Sequence, residues 1–247
     1  MATEVLADAP ALRRGRRARA LAAMEAHDLD ALLLGREANA RYVSGAPRLW
    51  TAGTRPFGPG CVLVRGGAVH LVSTWDEGIP DDIPHDHLFG ITWNPGKLLA
   101  WLGGIDGMAD ARRIGTDSLT PRFAQLLPKV FPHAELVDAE PALEAARRVK
   151  TPEEVDAIRR AVGVADTALA AAVAELHPGV TERHLAAVFM AAMAGQGVTT
   201  PSTQQVAWIS SGPRPRRRAG VGPVTGSDLV SFDAGVVAGG YGGEVGR

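Results

Sequence analysis

In the first 148 residues, stretches with apolar side chains at helical spacing alternate with apolar runs that are typical of strands. Residues 16–27 place apolar side chains at helical spacing behind an arginine-rich face. The run ALLL, ended by Gly35, is continuous and typical of a strand that is buried on both faces. Helix-like and strand-like stretches then alternate as far as Arg148, and the two β-branched runs on either side of RGG predict a hairpin. The pattern predicts an α/β domain with a mixed sheet over residues 1–148.

The pattern changes after Arg148. One long helix is predicted between Thr151, which can cap its amino terminus, and Pro178-Gly179, which end it. A second helix begins at Thr181 and is followed by three strand-like runs, QQVAWISSG, DLVSFDAGVV and GYGGEV. Residues 149–247 are therefore predicted to be an α+β domain in which two helices pack on strands.

Composition and charge give no support for several classes of protein. Of the 247 residues, 46% are hydrophobic and 21% are charged, with a formal net charge of −1. A near-zero charge gives no electrostatic reason to expect nucleic acid or an anionic membrane as a partner. One cysteine, Cys61, excludes an internal disulfide, and no apolar run is long enough to predict a membrane span. Cytoplasmic localisation is the expectation, and Cys61 is predicted to be a buried structural thiol.

Four stretches, in series along the chain, carry a resemblance to a known family. They are HDLDALLL with NARYVSG, VKTPEEVDAIRRAVGVAD, HPGVTERHLAAVF and GSDLVSFDAGVVAGGYGGEVGR. Together they resemble the creatinase, prolidase and aminopeptidase P proteins, whose catalytic domain has the pita-bread fold. The resemblance implies a creatinase-like amino-terminal domain over residues 1–148. It also implies the first half only of a pita-bread domain over residues 149–247, so that the chain is carboxy-terminally incomplete with respect to the family.

The resemblance also implies a chemistry. In the family, two divalent metal ions, Mn, Co or Fe, are held by two Asp, one His and two Glu. These metals activate a water that attacks the peptide bond before a proline. The resemblance therefore implies an Xaa-Pro aminopeptidase-like or prolidase-like hydrolase. Such an enzyme acts on a small peptide or another small nitrogen-containing substrate and forms a homodimer.

Two carboxylates near the end of the chain are candidate metal ligands. The family's two Asp ligands lie eleven residues apart on a hairpin, and Asp233 and Glu244 have that separation (244 − 233 = 11). Asp233 matches the first ligand, whereas Glu244 stands where the second Asp is expected and is longer by one methylene. The alternatives are an aspartate that shapes a turn before Ala-Gly and a glutamate that is an exposed charge on an edge strand.

The segment SSGPRPRRRAG is a second departure from the family. The peptidases usually carry a histidine after a Gly-Pro-Arg sequence, but this region holds Arg216 and its neighbours. An arginine stays protonated and cannot act as a neutral acid or base, but it can pair with a substrate carboxylate. Arg216 is accordingly a candidate substrate-binding residue, and a solvated basic loop is the alternative.

The remaining family ligands have no counterparts in the sequence. None of the seven histidines lies beyond His184, and the family's metal-binding His and both Glu follow the strand pair. At most two of five ligands are present, so this chain is expected to be inactive by itself. A non-catalytic pita-bread binding module and a metal-free creatinase-like C–N hydrolase are the alternatives. His85 and His87 are predicted to lie in a polar surface loop.

Overall fold

The computed structural model describes residues 10–46, 58–203, 206–210 and 222–247. The chain forms two compact units, Ala9–Thr151 and Pro152–Arg247. The division falls between residues 151 and 152, whereas the sequence places it between 148 and 149. Each unit contains one sheet, of six strands in the first and of three in the second.

The first unit contains five helices and six strands among its described residues. The helices are α1 Pro10–Ala26, α2 Glu37–Ser44, α3 Pro95–Gly103, α4 Pro121–Val130 and α5 Glu140–Arg148. The strands are β1 Ala31–Leu34, β2 Cys61–Val64, β3 Val69–Val72, β4 Leu88–Phe89, β5 Arg113–Thr116 and β6 Glu135–Asp138. A single 3₁₀ turn, His85–His87, leads into β4.

The sheet of the first unit is mixed, as predicted. Its order is β4-β3-β2-β1-β5-β6, with β1, β5 and β6 mutually parallel and β1, β2 and β3 antiparallel. Every residue of β1, β2 and β3 is buried, because helices cover both faces of the sheet. One layer of the core lies among α1, α2 and α5, and the other lies among α3 and α4. The continuous apolar run of β1 is explained by this burial on both faces.

Local signals account for several element ends. Helix α2 ends at Gly45, which has a φ of 73° and whose N–H donates to Arg41 O. The predicted hairpin forms between β2 and β3, and Gly67 takes a φ of 90° in its turn. Asn94 caps α3 by accepting from two backbone N–H groups, and Thr120 caps α4.

Two features of the first unit are not predicted by local sequence patterns. Strand β6 is followed by helix α5, because Ala142, Leu143 and Ala146 form a buried apolar stripe at helical spacing. One residue of the arginine-rich face of α1 is buried. Arg16 is 2% exposed, and its guanidinium lies over the ring of Tyr42 at 5.8 Å from the centroid.

The second unit packs two helices on one face of a small antiparallel sheet. Its elements are α6 Pro152–Ala174, α7 Glu182–Gly195, β7 Ala207–Ser210, β8 Leu229–Ala238 and β9 Tyr241–Gly246, and the strand order is β7-β8-β9. Strands β8 and β9 are joined by Gly239 and Gly240, which both have positive φ, as a two-residue hairpin turn requires. This architecture confirms the predicted fold class of an α/β domain followed by part of an α+β pita-bread domain.

Candidate metal centre

Strand β8 presents one face to the helices and the other to the candidate site. Phe232, Ala234 and Val236 are buried in the core with α6 and α7. Since successive side chains of a strand point to opposite faces, Asp233 and Gly235 point away from that core. The side chain of Asp233 is half-buried, and its backbone N–H donates to Val206 O at 3.1 Å.

Glu244 lies on the same face as Asp233. In the antiparallel ladder, Asp233 is opposite Gly246 and Gly235 is opposite Glu244. Residues directly opposite each other share a face, so Asp233 and Glu244 are diagonal neighbours, a relation that spans about 7–8 Å between backbones and less between side chains. The eleven-residue separation therefore brings two carboxylates to one face of one hairpin, as the sequence predicts.

The side chain of Glu244 leans across the ladder toward β8. A Cβ built on Gly235 would come within 2.7 Å of Glu244 Cγ. Glu244 is exposed, and Gly235 beneath it is buried. The carboxylate of Glu244 thus lies on the face of the hairpin that points away from α6 and α7. This face, which carries Asp233, Gly235 and Glu244, is called the open face below.

The donor set of this pair fits part of a site for a hard divalent cation. Carboxylate oxygens are the ligands that Mn and similar ions accept. Within the described residues, no group of three or more His, Cys, Asp or Glu side chains is placed to hold a metal ion. Asp233 and Glu244 are therefore a pair of carboxylates on one face, without a third metal-ligating side chain beside them in the part of the chain that the structure describes.

Arg216, the candidate for substrate binding, lies outside the described residues, and its role stays a prediction. The two histidines near residue 86 do not share a metal ligand set in the described part of the chain. His85 is exposed and pairs with Asp76 at 2.9 Å. His87 is half-buried and stacks on His70, with ring centroids 4.0 Å apart. Burial and then the neighbouring His87 lower the pKa of His70 below its usual range.

Cys61 lies on β2 and is completely buried. Burial raises the pKa of its thiol far above the usual range, and the charge of Asp117 acts in the same direction. A thiol held protonated in this way is a poor nucleophile, so the predicted structural role of Cys61 is supported.

Comparison with known proteins places the chain in a family. A sequence profile described as the creatinase/prolidase N-terminal domain matches residues 16–149, which is more than half of the chain. The chain belongs to the creatinase/prolidase family. A profile of metallopeptidase family M24 matches residues 156–247, so the hairpin with Asp233 and Glu244 lies in the metallopeptidase segment. The family resemblance that the sequence motifs predict is confirmed.

Named relatives agree with this assignment. A Xaa-Pro dipeptidase of Pyrococcus horikoshii is 25% identical over 232 residues, which covers 91% of this chain and 60% of that protein. The crystal structure of a Pyrococcus horikoshii prolidase has a TM-score of 0.70 at 21% identity and covers 94% of this chain and 63% of that one. A Xaa-Pro dipeptidase from Bacillus anthracis has a TM-score of 0.72 at 18% identity, over 95% and 64% of the two chains. These likenesses establish the fold, and this chain spans less than two thirds of each of the three.

Local sequence patterns do not predict that two further residues, Gly235 and Ser202, lie at the open face. Gly235 stands between the paired carboxylates, where the space above it is filled by the side chain of Glu244. Ser202 also reaches that space, although it lies more than thirty positions before Asp233 in the sequence. Helix propensity and strand period contain no signal for such a contact between distant segments.

No helix in the described ranges has the length and apolar character needed to cross a membrane.

Proposed function

We propose that this chain supplies part of the metal centre of a hydrolase that cleaves the peptide bond before a proline or a related C–N bond. Asp233 and Glu244 are the carboxylate ligands in this proposal. The observation that carries it is their placement as diagonal neighbours on the open face of the β8–β9 hairpin. The match to metallopeptidase family M24 over the same segment supports it. The substrate is a small peptide or another small nitrogen-containing molecule.

The two side chains have a defined task in this proposal. Each offers a hard anionic oxygen, and together they hold a Mn, Co or Fe ion above the sheet. Such an ion, when bound, lowers the pKa of a water and polarises the carbonyl of the substrate. Arg216 is the proposed partner of a substrate carboxylate. Since two carboxylates leave most coordination positions to water, the affinity of these 247 residues for Mn²⁺ is expected to be low.

A paramagnetic titration tests the metal site even at low affinity. Mn²⁺ added to ¹⁵N-labelled protein is expected to broaden the amide signals of Ala234, Gly235 and Glu244 before those of the other strands. The substitution Asp233→Asn should remove this local broadening, because it replaces an anionic ligand with a neutral one. Glu153→Gln, which neutralises an exposed carboxylate on α6, is the matched control and should leave it unchanged. Broadening that begins elsewhere, or that survives Asp233→Asn, contradicts the proposal.

Activity of the isolated chain provides a second test. We expect no detectable cleavage of Xaa-Pro dipeptides, with or without Mn²⁺, because a water must be held and deprotonated by a more complete ligand set. Turnover that disappears on chelation would show that these residues suffice. Turnover that persists in chelator would indicate the metal-free hydrolase.

A non-catalytic pita-bread module is the second candidate function. It is favoured by the glutamate at position 244 and by the absence of a third ligand beside the pair in the described residues. The coding sequence after Arg247 discriminates between the hydrolase and the binding module. A frame that continues with one histidine and two glutamates in the order of the family favours the enzyme, whereas an immediate stop codon favours the binding module.

A further inference from the structure

A cavity of about 400 Å³ lies in the first unit, at the edge of the sheet where the parallel strands β3 and β4 begin. It is lined by His70 on β3, by His87 in the 3₁₀ turn before β4, and by Trp101 in the last turn of α3. A volume of this size is typical of a site for a small organic ligand. The residues of the candidate metal centre have no part in this cavity.

His70 is a buried polar residue that lacks a hydrogen bond within the described part of the chain. It is 9% exposed, and its ring stacks on that of His87. The Nδ1–H of His87 donates to Val69 O at 3.0 Å, because a carbonyl oxygen can only accept. Burial and then the neighbouring His87 lower the pKa of His70, so its ring is neutral at pH 7 and one of its nitrogens is an acceptor. A donor on a ligand in the cavity would satisfy this acceptor.

Three carboxylates give the surroundings of His70 a negative charge. A second cavity, of about 470 Å³, shares Ala68 and Asp106 with the first, so the two cavities adjoin. Asp86 lines the first cavity and Asp110 lines the second. Among the described residues, none of these three aspartates has a partner in an ion pair. Their charges are therefore available to a cationic ligand.

The only lysine or arginine among the described lining residues is Arg65, in the second cavity. Its guanidinium nitrogens lie 3.4 Å from an oxygen of Asp28 and 3.5 Å from an oxygen of Asp30. Since these two carboxylates offset the charge of Arg65, the two cavities together keep a negative charge.

We propose that the two adjoining cavities form one binding site for a linear polyamine, whose ammonium groups pair with Asp86, Asp106 and Asp110 and donate to His70. The ring of Trp101 offers a further favourable contact to a cation. The apolar side chains of Ala68 and Ile105 line the same space and suit the methylene segments between the ammonium groups.

A chain of separated charges fits these residues better than a single metal ion does. Within the described residues, no group of three or more His, Cys, Asp or Glu side chains is placed to hold a metal ion. Carboxylates that line two adjoining cavities can instead each meet a different ammonium group of one extended ligand.

Calorimetric titration with spermidine tests the proposal, in about 150 mM NaCl to screen unspecific attraction. Spermidine is expected to bind with a stoichiometry of one. Asp106→Asn, at the exposed residue that the two cavities share, should weaken binding about two- to fivefold. His70→Phe keeps a stacked ring but removes the acceptor, and it should weaken binding about tenfold. Glu144→Gln, which neutralises an exposed carboxylate on α5, is the matched control and should leave the Kd unchanged.

Butylamine, which carries one ammonium group, separates a polyamine site from a general amine site. It should bind at least about tenfold more weakly than spermidine, because it can pair with only one of the three carboxylates. No spermidine binding, equal binding of the two amines, or an Asp106→Asn variant that binds spermidine like the wild type overturns the proposal. Since Asp106 is exposed, its variant keeps the test decisive if His70→Phe fails to fold. The outcome is separate from that of the proposed function, because neither Asp233 nor Glu244 takes part.

Discussion

Each unit of this protein contains a pair of carboxylates, and the two pairs differ in their surroundings. Asp117 and Glu140 lie beyond the carboxyl ends of the parallel strands β5 and β6. Asn39, which is 1% exposed, donates to both carboxylates at 2.9 Å. Asp117 also accepts from Gly35 N at 2.7 Å, and Glu140 accepts from Arg147 Nη2 at 3.1 Å. The donors that enclose this pair come from the chain itself.

Asp233 and Glu244 differ from this pair in which part of the sheet they occupy. They lie on a sheet face that the helices of their unit leave uncovered, with Asp233 half-buried and Glu244 exposed. Carboxylates that are enclosed by donors hold loops together, whereas carboxylates on an open face can accept a cation. The residue type alone therefore does not identify a site, because the position of a carboxylate on the sheet decides what it can bind.

The largest expected effect is at the enclosed pair. Asn39→Ala removes the shared donor and leaves two half-buried carboxylates facing each other, so it should lower the free energy of unfolding by about 3 kcal/mol. Glu244→Gln on the open face, where the side chain is exposed, should change it by less than about 1 kcal/mol. Urea denaturation of both variants measures the contrast. Similar losses for the two substitutions would show that the two pairs contribute to stability in the same way.

The two faces of the β8–β9 hairpin should also differ. A Cβ at Gly243 would collide with the backbone of Ala161 on α6, whereas one at Gly242 meets nothing within 4 Å. Gly243→Ala is expected to destabilise the protein by about 1–3 kcal/mol, because a helix backbone cannot move aside easily. Gly242→Ala is the matched control and should cost no more than about 0.5 kcal/mol. Equal thermal shifts for the two variants would show that β9 does not pack on α6 in this way.

The smallest expected effect is a pH dependence at the enclosed pair. Burial raises the pKa of Asp117 above its usual range, and the charge of Glu140 acts in the same direction, although hydrogen bonds from Gly35 and Asn39 oppose it. The folded state therefore holds the proton more tightly than the unfolded state. The stability that this proton contributes is present below the ordinary aspartate value of 3.8 and is lost as the pH rises through the raised pKa.

Unfolding free energies measured upward from pH 3.8 test this linkage. The wild type should lose part of its stability across that window from this group, and Asp117→Asn should lack the corresponding slope. An identical slope in the two proteins would assign the pH dependence to other groups.

Local patterns in the sequence predict much of this fold. The run ALLL predicts β1 because a strand buried on both faces needs apolar residues at every position. The paired glycines before Tyr241 predict the tight turn of the β8–β9 hairpin, because both must take positive φ. The spacing of Asp233 and Glu244 then predicts a shared face, since the side-chain period of a strand is two residues.

Local sequence patterns do not predict contacts between segments that are far apart along the chain. Ser202 reaches Gly235 because the segment before β7 pairs along β8, a contact that no local pattern encodes. In the sequence, Arg16 is one of several arginines on α1 and nothing marks it as buried. In the structure it is buried, with its guanidinium over the ring of Tyr42. Helix α5 is concealed by Pro141, which reads as a turn residue but fits the first turn of a helix.

The proposed function requires that Asp233 and Glu244 bind a common cation. Crystals of the chain soaked in Mn²⁺ and measured near the manganese absorption edge test it most directly. We expect an anomalous difference peak above the β8–β9 hairpin, within about 2.0–2.4 Å of an oxygen of each carboxylate, and its loss in Asp233→Asn. A map with no peak on this face, or with a peak bound by only one of the two residues, would contradict it.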